Sequence, residues 1–177
     1  MTVHPADRSG DRFALSTGSA LYRPPRDRPL RMRGVEESDL PALARLDQEV
    51  FQRDAYPFFV LRQLFDVHPE DFLVLDDGET LRGYVLVGSA PEAGSSWILG
   101  LGVTPDRRGR GHGRRLMVEI LRRLRTTAGI REVRLTVEPT NAPAIVLYRS
   151  LGFSPEGAVR KGYFGPDEDR LIMTLSL

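Results

Sequence analysis

Between Val103 and Met117 an apolar run ends, a glycine-rich loop follows, and an amphipathic helical pattern begins. The loop contains three glycines at alternate positions, Gly109, Gly111 and Gly113. Glycine adopts backbone torsions closed to other residues and lets a ligand approach the main chain closely. The first turn of a helix adds unpaired N–H groups and the positive end of the helix dipole. This order predicts an anion-binding loop between a strand and a helix.

Arginines crowd the same loop and the helix that follows it: Arg107, Arg108, Arg110, Arg114 and Arg115. The helix dipole disfavours cations at this end, so the cluster predicts a negatively charged ligand such as a phosphate. The alternative is accidental clustering, because arginine is abundant in this chain whereas lysine occurs once, as Lys161. A Walker loop needs Gly-Lys followed by Ser or Thr, and two arginines follow Gly113 instead. Hydrolysis of nucleoside triphosphates is therefore disfavoured.

Composition limits the function classes. At 177 residues, with 41% hydrophobic and 28% charged residues, the chain fits one globular domain. The formal net charge of +1 argues against a dedicated nucleic-acid-binding protein. The absence of cysteine excludes disulfides, a thiolate nucleophile and cysteine-based metal sites, and we expect no metal centre. No apolar run approaches the length of a membrane span, so we expect a soluble, cytoplasmic protein with no membrane contact.

Residues 1–29 differ in composition from the rest of the chain. They are rich in Pro, Arg, Asp, Ser and Gly and carry a formal charge of +2, from five arginines and three aspartates. This composition predicts an N-terminal arm outside the main domain, which spans residues 30–177. The arm contains two short apolar pieces, at 13–15 and 20–22, which we expect to pack against the domain or a partner chain. A homodimer is therefore one expectation.

Hydrophobic periodicity predicts alternating strands and helices after the arm. Strands are predicted at 30–35, 72–75, 80–89, 96–103, 132–137, 153–154 with 158–160, and 170–177, with Asp77-Gly78 turning a hairpin between the second and third. Helices are predicted at 40–51, 58–65, 111–128 and 141–151. Gly100 and Gly102 indicate a bulge, or close approach of a ligand to that strand. The strands at 96–103 and 132–137 flank a helix of crossover length, which predicts that they pair in parallel.

Two motifs resemble the GNAT acyltransferase superfamily. The first is Val103-Thr104-Pro105 followed by Arg108-x-x-Gly111-x-Gly113, and the second is Asn141-x-x-Ala144-x-x-Leu147-Tyr148-x-x-x-Gly152-Phe153. The resemblance covers residues 30–177, and the end of the chain, from Tyr148 to Tyr163-Phe164, is most similar to the ribosomal-protein alanine N-acetyltransferases. It implies an α/β (α+β) fold: a mixed, mostly antiparallel twisted sheet, splayed into a V and flanked by the four predicted helices. It also implies acetyl-coenzyme A as cofactor, held between the strands of Trp97 and Glu132.

The family pattern assigns cofactor contacts to particular residues. Backbone amides of the glycine loop hold the pyrophosphate, which implicates Arg108, Gly109, Arg110, Gly111, His112, Gly113 and Arg114. The distorted end of the preceding strand, with Leu101 and Val103, bonds to the pantetheine arm. Asn141 contacts the cofactor, and Tyr148 stands near its sulfur. The alternatives are that Asn141 is a helix N-cap and Tyr148 a core residue, and that His112 has a structural role in the loop.

Acetyl transfer to an amine needs a base to take a proton from nitrogen and an acid to protonate the leaving thiolate. Tyr148 suits the acid, because a phenol with an ordinary pKa of about 10 keeps its proton at neutral pH. The alanine acetyltransferases carry a glutamate at the position that Thr136 occupies here. A threonine cannot act as the base. Glu138, on the same strand face if the strand continues, is one substitute, and a water chain is another.

These patterns together predict an acetyl-coenzyme A-dependent N-acetyltransferase that transfers the acetyl group directly to a primary amine. We favour the α-amine of a peptide or protein N-terminus. Phe51, Tyr56 and Tyr163 lie in two segments that flank the acceptor site in the alanine acetyltransferases, although aromatic side chains there could also cap the core. The alternatives are a small-molecule amine as acceptor, a non-catalytic acyl-coenzyme A binding or sensing module, and arginine-mediated RNA binding, which the low net charge disfavours.

Overall fold

The computed structural model describes residues 28–177, and their strands form one seven-stranded sheet in the order β1-β2-β3-β4-β5-β7-β6. The strands are β1 Arg31–Gly34, β2 Phe72–Asp76, β3 Leu81–Ala90, β4 Ser95–Val103, β5 Glu132–Val137, β6 Ser154–Pro155 and β7 Leu171–Ser176. Neighbouring strands are antiparallel except β4 and β5, which pair in parallel. The predicted mixed, mostly antiparallel sheet is therefore confirmed.

The parallel pair separates partway along β4. Residues 95–98 of β4 pair with β5 on one side and with β3 on the other, whereas residues 100–103 of β4 pair with β3 alone. A bulge lies at the same place, because Ile98 and Gly100 face successive residues of β3 and leave Leu99 without an opposite residue. The sheet consequently opens into a V whose apex lies near Leu99.

Four α-helices cover the sheet within residues 28–177: α1 Leu40–Phe51, α2 Phe58–Val67, α3 His112–Thr126 and α4 Ala142–Ser150. In α3, Leu116, Ile120 and Leu124 recur every fourth residue, and they are buried against one face of the sheet. Helices α1 and α2 pack on the other face, where Leu43 and Leu61 are fully buried. Burying one such leucine stabilises the fold by roughly 1.5–3 kcal/mol.

Some predicted element boundaries are wrong. The third helix ends at Thr126 rather than at residue 128. The strand expected from 153 to 160 is reduced to β6 and a single bridge between Arg160 and Arg170, because Gly157, at φ +81°, turns the chain between them. The predicted arm, residues 1–29, lies outside the described residues except for its last two. Among residues 28–177, no helix is long and apolar enough to cross a lipid bilayer.

Candidate active site

The glycine loop lies between the end of β4 and the start of α3. Gly109 and Gly111 have φ of +72° and +79°, and this left-handed conformation costs other residues about 1–2 kcal/mol. A Cβ placed on either glycine would meet no atom within 4 Å, so the space outside the loop is open. Gly111 is the N-cap of α3, whose first amides have no intrahelical acceptors. An open row of backbone donors at a helix N-terminus fits an anionic ligand.

The arginines around this loop have several different partners. Arg108 donates from Nε to the carbonyl of Val103 at 3.1 Å, and Arg115 donates from Nη1 to the carbonyl of Leu30 at 2.8 Å. Arg107 is buried, at 6% exposure. Part of the cluster therefore holds the loop and α3 in place, and a bound anion is not needed to explain these side chains.

Helix α4 borders the loop on its other side. Arg114 donates from Nη1 to Ser150 Oγ of α4 at 2.6 Å. A Cβ on Gly113 would lie 3.6 Å from Leu147 Cδ2 and 4.0 Å from Leu101 Cδ2. Three residues assigned to cofactor binding from the sequence, Leu101, Gly113 and Arg114, thus meet where the end of β4, the start of α3 and α4 come together.

Asn141 begins α4 as its N-cap. Its Oδ1 accepts a hydrogen bond from the amide of Ala144 at 3.2 Å, which is the arrangement that the N-cap interpretation expects. This contact leaves the side-chain NH₂ group as the part of Asn141 that can reach a ligand.

Tyr148 lies in the last turns of α4 and is 8% exposed. Its ring packs edge-on against Phe153, with the centroids 6.0 Å apart. Burial raises the pKa of Tyr148 to about 12. The ring therefore belongs to the core, as the alternative interpretation expected, while the hydroxyl stays protonated at neutral pH.

Glu138 lies one residue beyond β5, which ends at Val137 as predicted, so the condition for placing Glu138 on the same strand face is not met. The side chain is exposed, and its carboxylate lies within 4.8 Å of the carboxylates of Asp54 and Glu168. These acids come from three separate segments: the turn after α1, the end of β5 and the loop before β7. Arg53 Nη2 also pairs with Glu168 Oε1 at 2.9 Å. Acidic side chains thus gather on the side of the sheet opposite the glycine loop's helix.

The three aromatic residues assigned to the acceptor have different surroundings. Tyr56 donates from its hydroxyl to the carbonyl of Leu99, at the apex of the V, at 3.1 Å. Phe51 is half-buried and packs edge-on against Tyr84, with the centroids 6.5 Å apart. Tyr163 is 37% exposed and packs against the neighbouring ring of Phe164. Tyr56 is therefore the aromatic residue held directly at the split between β4 and β5.

Two residues near this split, Asp47 and Tyr84, are absent from the sequence-based assignments. Asp47 on α1 is completely buried, and its carboxylate accepts hydrogen bonds from the Tyr84 hydroxyl and from the Tyr56 amide, the latter at 2.6 Å. An acid one helical turn after Leu43, on the apolar side of α1, was the available signal.

Gly100 and Gly102 make room for this network. A Cβ on either glycine would lie 2.8 Å from an atom of Tyr84. The close approach to this strand, which was one expectation for a ligand, is therefore made by the Tyr84 side chain. The other expectation, a bulge, is confirmed at the neighbouring Leu99.

Comparison with known proteins identifies the family. The acetyltransferase (GNAT) family matches residues 37–153. The chain is 37% identical over 146 residues to the [ribosomal protein bS18]-alanine N-acetyltransferase of Salmonella typhimurium, covering 81% of this chain and 95% of the relative. It is 30% identical over 173 residues to the mycothiol acetyltransferase of Actinosynnema mirum, covering 82% of this chain and 58% of the relative.

A solved structure agrees with the sequence relatives. The ribosomal-protein-alanine N-acetyltransferase from Brucella melitensis superposes with a TM-score of 0.69 at 26% identity, covering 84% of this chain and all of that chain. The glycine loop, the capped α4 with its tyrosine, and strands β2 to β5, which include the split pair, all fall within the matched residues 37–153. The chain therefore belongs to the GNAT acetyltransferase family, enzymes that transfer the acetyl group of acetyl-coenzyme A to an acceptor.

Proposed function

We propose that this enzyme acetylates the α-amine of a peptide or protein N-terminus by direct transfer from acetyl-coenzyme A at the split between β4 and β5. Two observations carry the proposal: Tyr56 bonds to Leu99 at the apex, and the carboxylate of Asp54, two residues before Tyr56, lies within 4.8 Å of those of Glu138 and Glu168. An amine that arrives as a cation is favoured by such acids. Similarity to a [ribosomal protein bS18]-alanine N-acetyltransferase supports a protein N-terminus as acceptor.

The residues around the loop fit acetyl-coenzyme A. The open left-handed positions at Gly109 and Gly111 and the unpaired amides of α3 suit a pyrophosphate. Residues 108–114 would hold that group through their backbone, Leu101 and Val103 would face the pantetheine arm, and Asn141 would offer its NH₂ group. The bound donor supplies an acetyl thioester, whose carbonyl carbon accepts the amine.

Glu138 and Tyr148 carry the proton transfers in this proposal. An α-amine with a pKa near 8 is only partly neutral at pH 7, so Glu138, directly or through a water, accepts the proton that nitrogen must lose. The nitrogen–carbon bond forms as the carbon–sulfur bond breaks, and Tyr148 donates a proton to the departing sulfur. Burial keeps that proton on Tyr148, because its pKa is raised to about 12. Exchange with solvent restores both side chains.

Substitution of Glu138 by glutamine tests the base. We expect Glu138→Gln to lower kcat by roughly a hundredfold, with the affinity for coenzyme A unchanged. Glu92→Gln is the matched control, since Glu92 is equally exposed but lies in the turn between β3 and β4. Loss of activity in the control, or an unchanged rate in Glu138→Gln, contradicts the assignment.

A small-molecule amine is the second candidate acceptor, and the similarity to a mycothiol acetyltransferase favours it. The two candidates are separated by a panel of peptides, polyamines, aminoglycosides and amino acids assayed with acetyl-coenzyme A. A kcat/KM for peptides that exceeds all small amines supports the proposal, and the reverse order supports the alternative.

A further inference from the structure

Asp47 is a carboxylate in an apolar position. It lies on the inner side of α1 with 0% exposure, and both of its recorded hydrogen-bond donors are neutral: the Tyr84 hydroxyl and the Tyr56 amide. Burial raises the pKa of this carboxyl group, and the two hydrogen bonds offset part of that change. A well-packed apolar side chain is often as stabilising as a buried charge. The acid at this position therefore points to a role other than stability.

Tyr84 fixes one oxygen of this carboxylate against β4. Its ring is fully buried and fills the space over Gly100 and Gly102, where an added Cβ would lie 2.8 Å from tyrosine atoms. The hydroxyl reaches Asp47 from this packed position. Asp47 is thereby tied to the strand segment that follows the bulge.

Tyr56 connects the same carboxylate to the apex of the V. Its amide donates to Asp47 Oδ2 at 2.6 Å, and its hydroxyl donates to the Leu99 carbonyl at 3.1 Å. Burial, together with the charge of Asp47, raises the pKa of Tyr56, so the hydroxyl keeps the proton that it donates. Tyr56 is thus hydrogen-bonded through its amide to α1 and through its hydroxyl to the bulge of β4. The ion pair of Arg53 with Glu168 also ties this loop, but the Arg53 side chain is 80% exposed, and ion pairs open to solvent add little rigidity.

We propose that Asp47 is a positioning residue for the amine acceptor: it fixes Tyr56 so that the Tyr56 hydroxyl and the Leu99 carbonyl form one rigid wall of the acceptor slot. The inference rests on the proposed function, since it requires an amine that enters at the split. Tyr56 contacts the acceptor, whereas Asp47 and Tyr84 act through Tyr56. Loss of Asp47 should therefore affect the amine and leave coenzyme A binding intact.

The test compares Asp47→Asn and Tyr56→Phe with a control, Asp77→Asn. Asp77 is also a buried aspartate, at 8% exposure, but lies in the hairpin between β2 and β3. We expect both test variants to raise KM for a peptide amine about tenfold. Tyr56→Phe loses one hydrogen bond, and Asp47→Asn replaces a carboxylate that accepts two hydrogen bonds by an amide with one acceptor oxygen and no charge, which holds Tyr56 more weakly. Affinity for coenzyme A should stay within about twofold, and the control should change neither value. Hydrogen exchange at the Tyr56 amide should accelerate in Asp47→Asn and not in Asp77→Asn.

The double variant separates positioning from a general structural role. If Asp47 acts through the Tyr56 hydroxyl, Asp47→Asn costs no further activity in the Tyr56→Phe background. An equal loss in both backgrounds, or an unchanged amine KM in Asp47→Asn, overturns the inference while the proposed function stands. A wild type that binds coenzyme A and acetylates no amine overturns both. If Asp47→Asn does not fold, Tyr56→Phe, which only removes a hydroxyl, decides the question: an unchanged amine KM overturns the inference.

Discussion

Replacing Gly111 by alanine tests the glycine loop with the smallest side chain. Gly111 has φ +79°, and a Cβ there would meet no described atom within 4 Å, so the substitution introduces no clash inside the free protein. It does introduce the strain of a left-handed alanine, about 1–2 kcal/mol. The free loop can relax to release this strain, whereas a loop that holds a pyrophosphate must keep its conformation.

The strain then opposes binding and sets the size of the effect. A cost of about 1–2 kcal/mol weakens the affinity for coenzyme A roughly 5- to 30-fold. Gly111→Glu should weaken it further, because a carboxylate would occupy the anion's space and repel its charge. Gly78→Ala is the matched control: Gly78, at φ +88° with open space around it, carries the same strain in the hairpin between β2 and β3.

Titration calorimetry gives the dissociation constant for coenzyme A in the wild type and in each variant, and melting temperatures report their stability. We expect Gly78→Ala to lose stability but retain wild-type affinity. Equal affinities for the wild type, Gly111→Ala and Gly111→Glu would refute the placement of the pyrophosphate on this loop. An affinity loss in Gly78→Ala as large as that in Gly111→Ala would refute the argument from local strain.

Other predictions follow from the same contacts. Tyr148→Phe should lower turnover roughly ten- to ten-thousand-fold with little change in coenzyme A affinity, measured by steady-state kinetics and calorimetry. Because the pKa of Tyr148 is raised to about 12, the wild-type rate should show no loss from its ionisation up to about pH 10, where an ordinary phenol is already half ionised. Tyr163→Ala should raise KM for a peptide amine and leave coenzyme A affinity intact. Burial alone would raise the pKa of Asp77, but hydrogen bonds from Arg82 and from the amides of Thr80 and Glu79 lower it to about 2. The stabilisation by Asp77 should thus be complete above about pH 4 and lost as pH falls towards 2, and Asp77→Asn should remove this part of the acid-unfolding curve.

Local patterns predict the glycine loop and the two helices beside it well. The glycines of the loop, the amphipathic α3 and the cap at Asn141 each depend on residues within a few positions of one another. The parallel pairing of β4 and β5 also follows, because a crossover helix leaves little choice of topology.

The proposed acceptor site depends on contacts between distant residues, and local patterns do not contain them. Asp47 and Tyr84 are 37 residues apart, and Tyr56 reaches Leu99 across 43. Tyr84 looks ordinary as an aromatic residue in a strand, and Tyr56 as one in a loop. Asp47 on the apolar side of α1 was a signal, but nothing near it in the sequence names its partners. Glu138 shows the same limit: β5 ends at Val137 as predicted, and the carboxylates within 4.8 Å of Glu138 belong to Asp54 and Glu168, which are distant in the sequence.

Site-resolved mass spectrometry of acetylated peptides measures acetyl transfer to a peptide α-amine directly. One peptide carries a free N-terminal alanine and no lysine, and a second has a blocked N-terminus and one lysine. A third, with the N-terminus blocked and no lysine, is the control. With acetyl-coenzyme A and wild-type enzyme, we expect acetylation of the first peptide at its α-nitrogen and none of the other two above the rate without enzyme. Faster acetylation of the lysine peptide, or of a free small-molecule amine at the same concentration, would contradict the account.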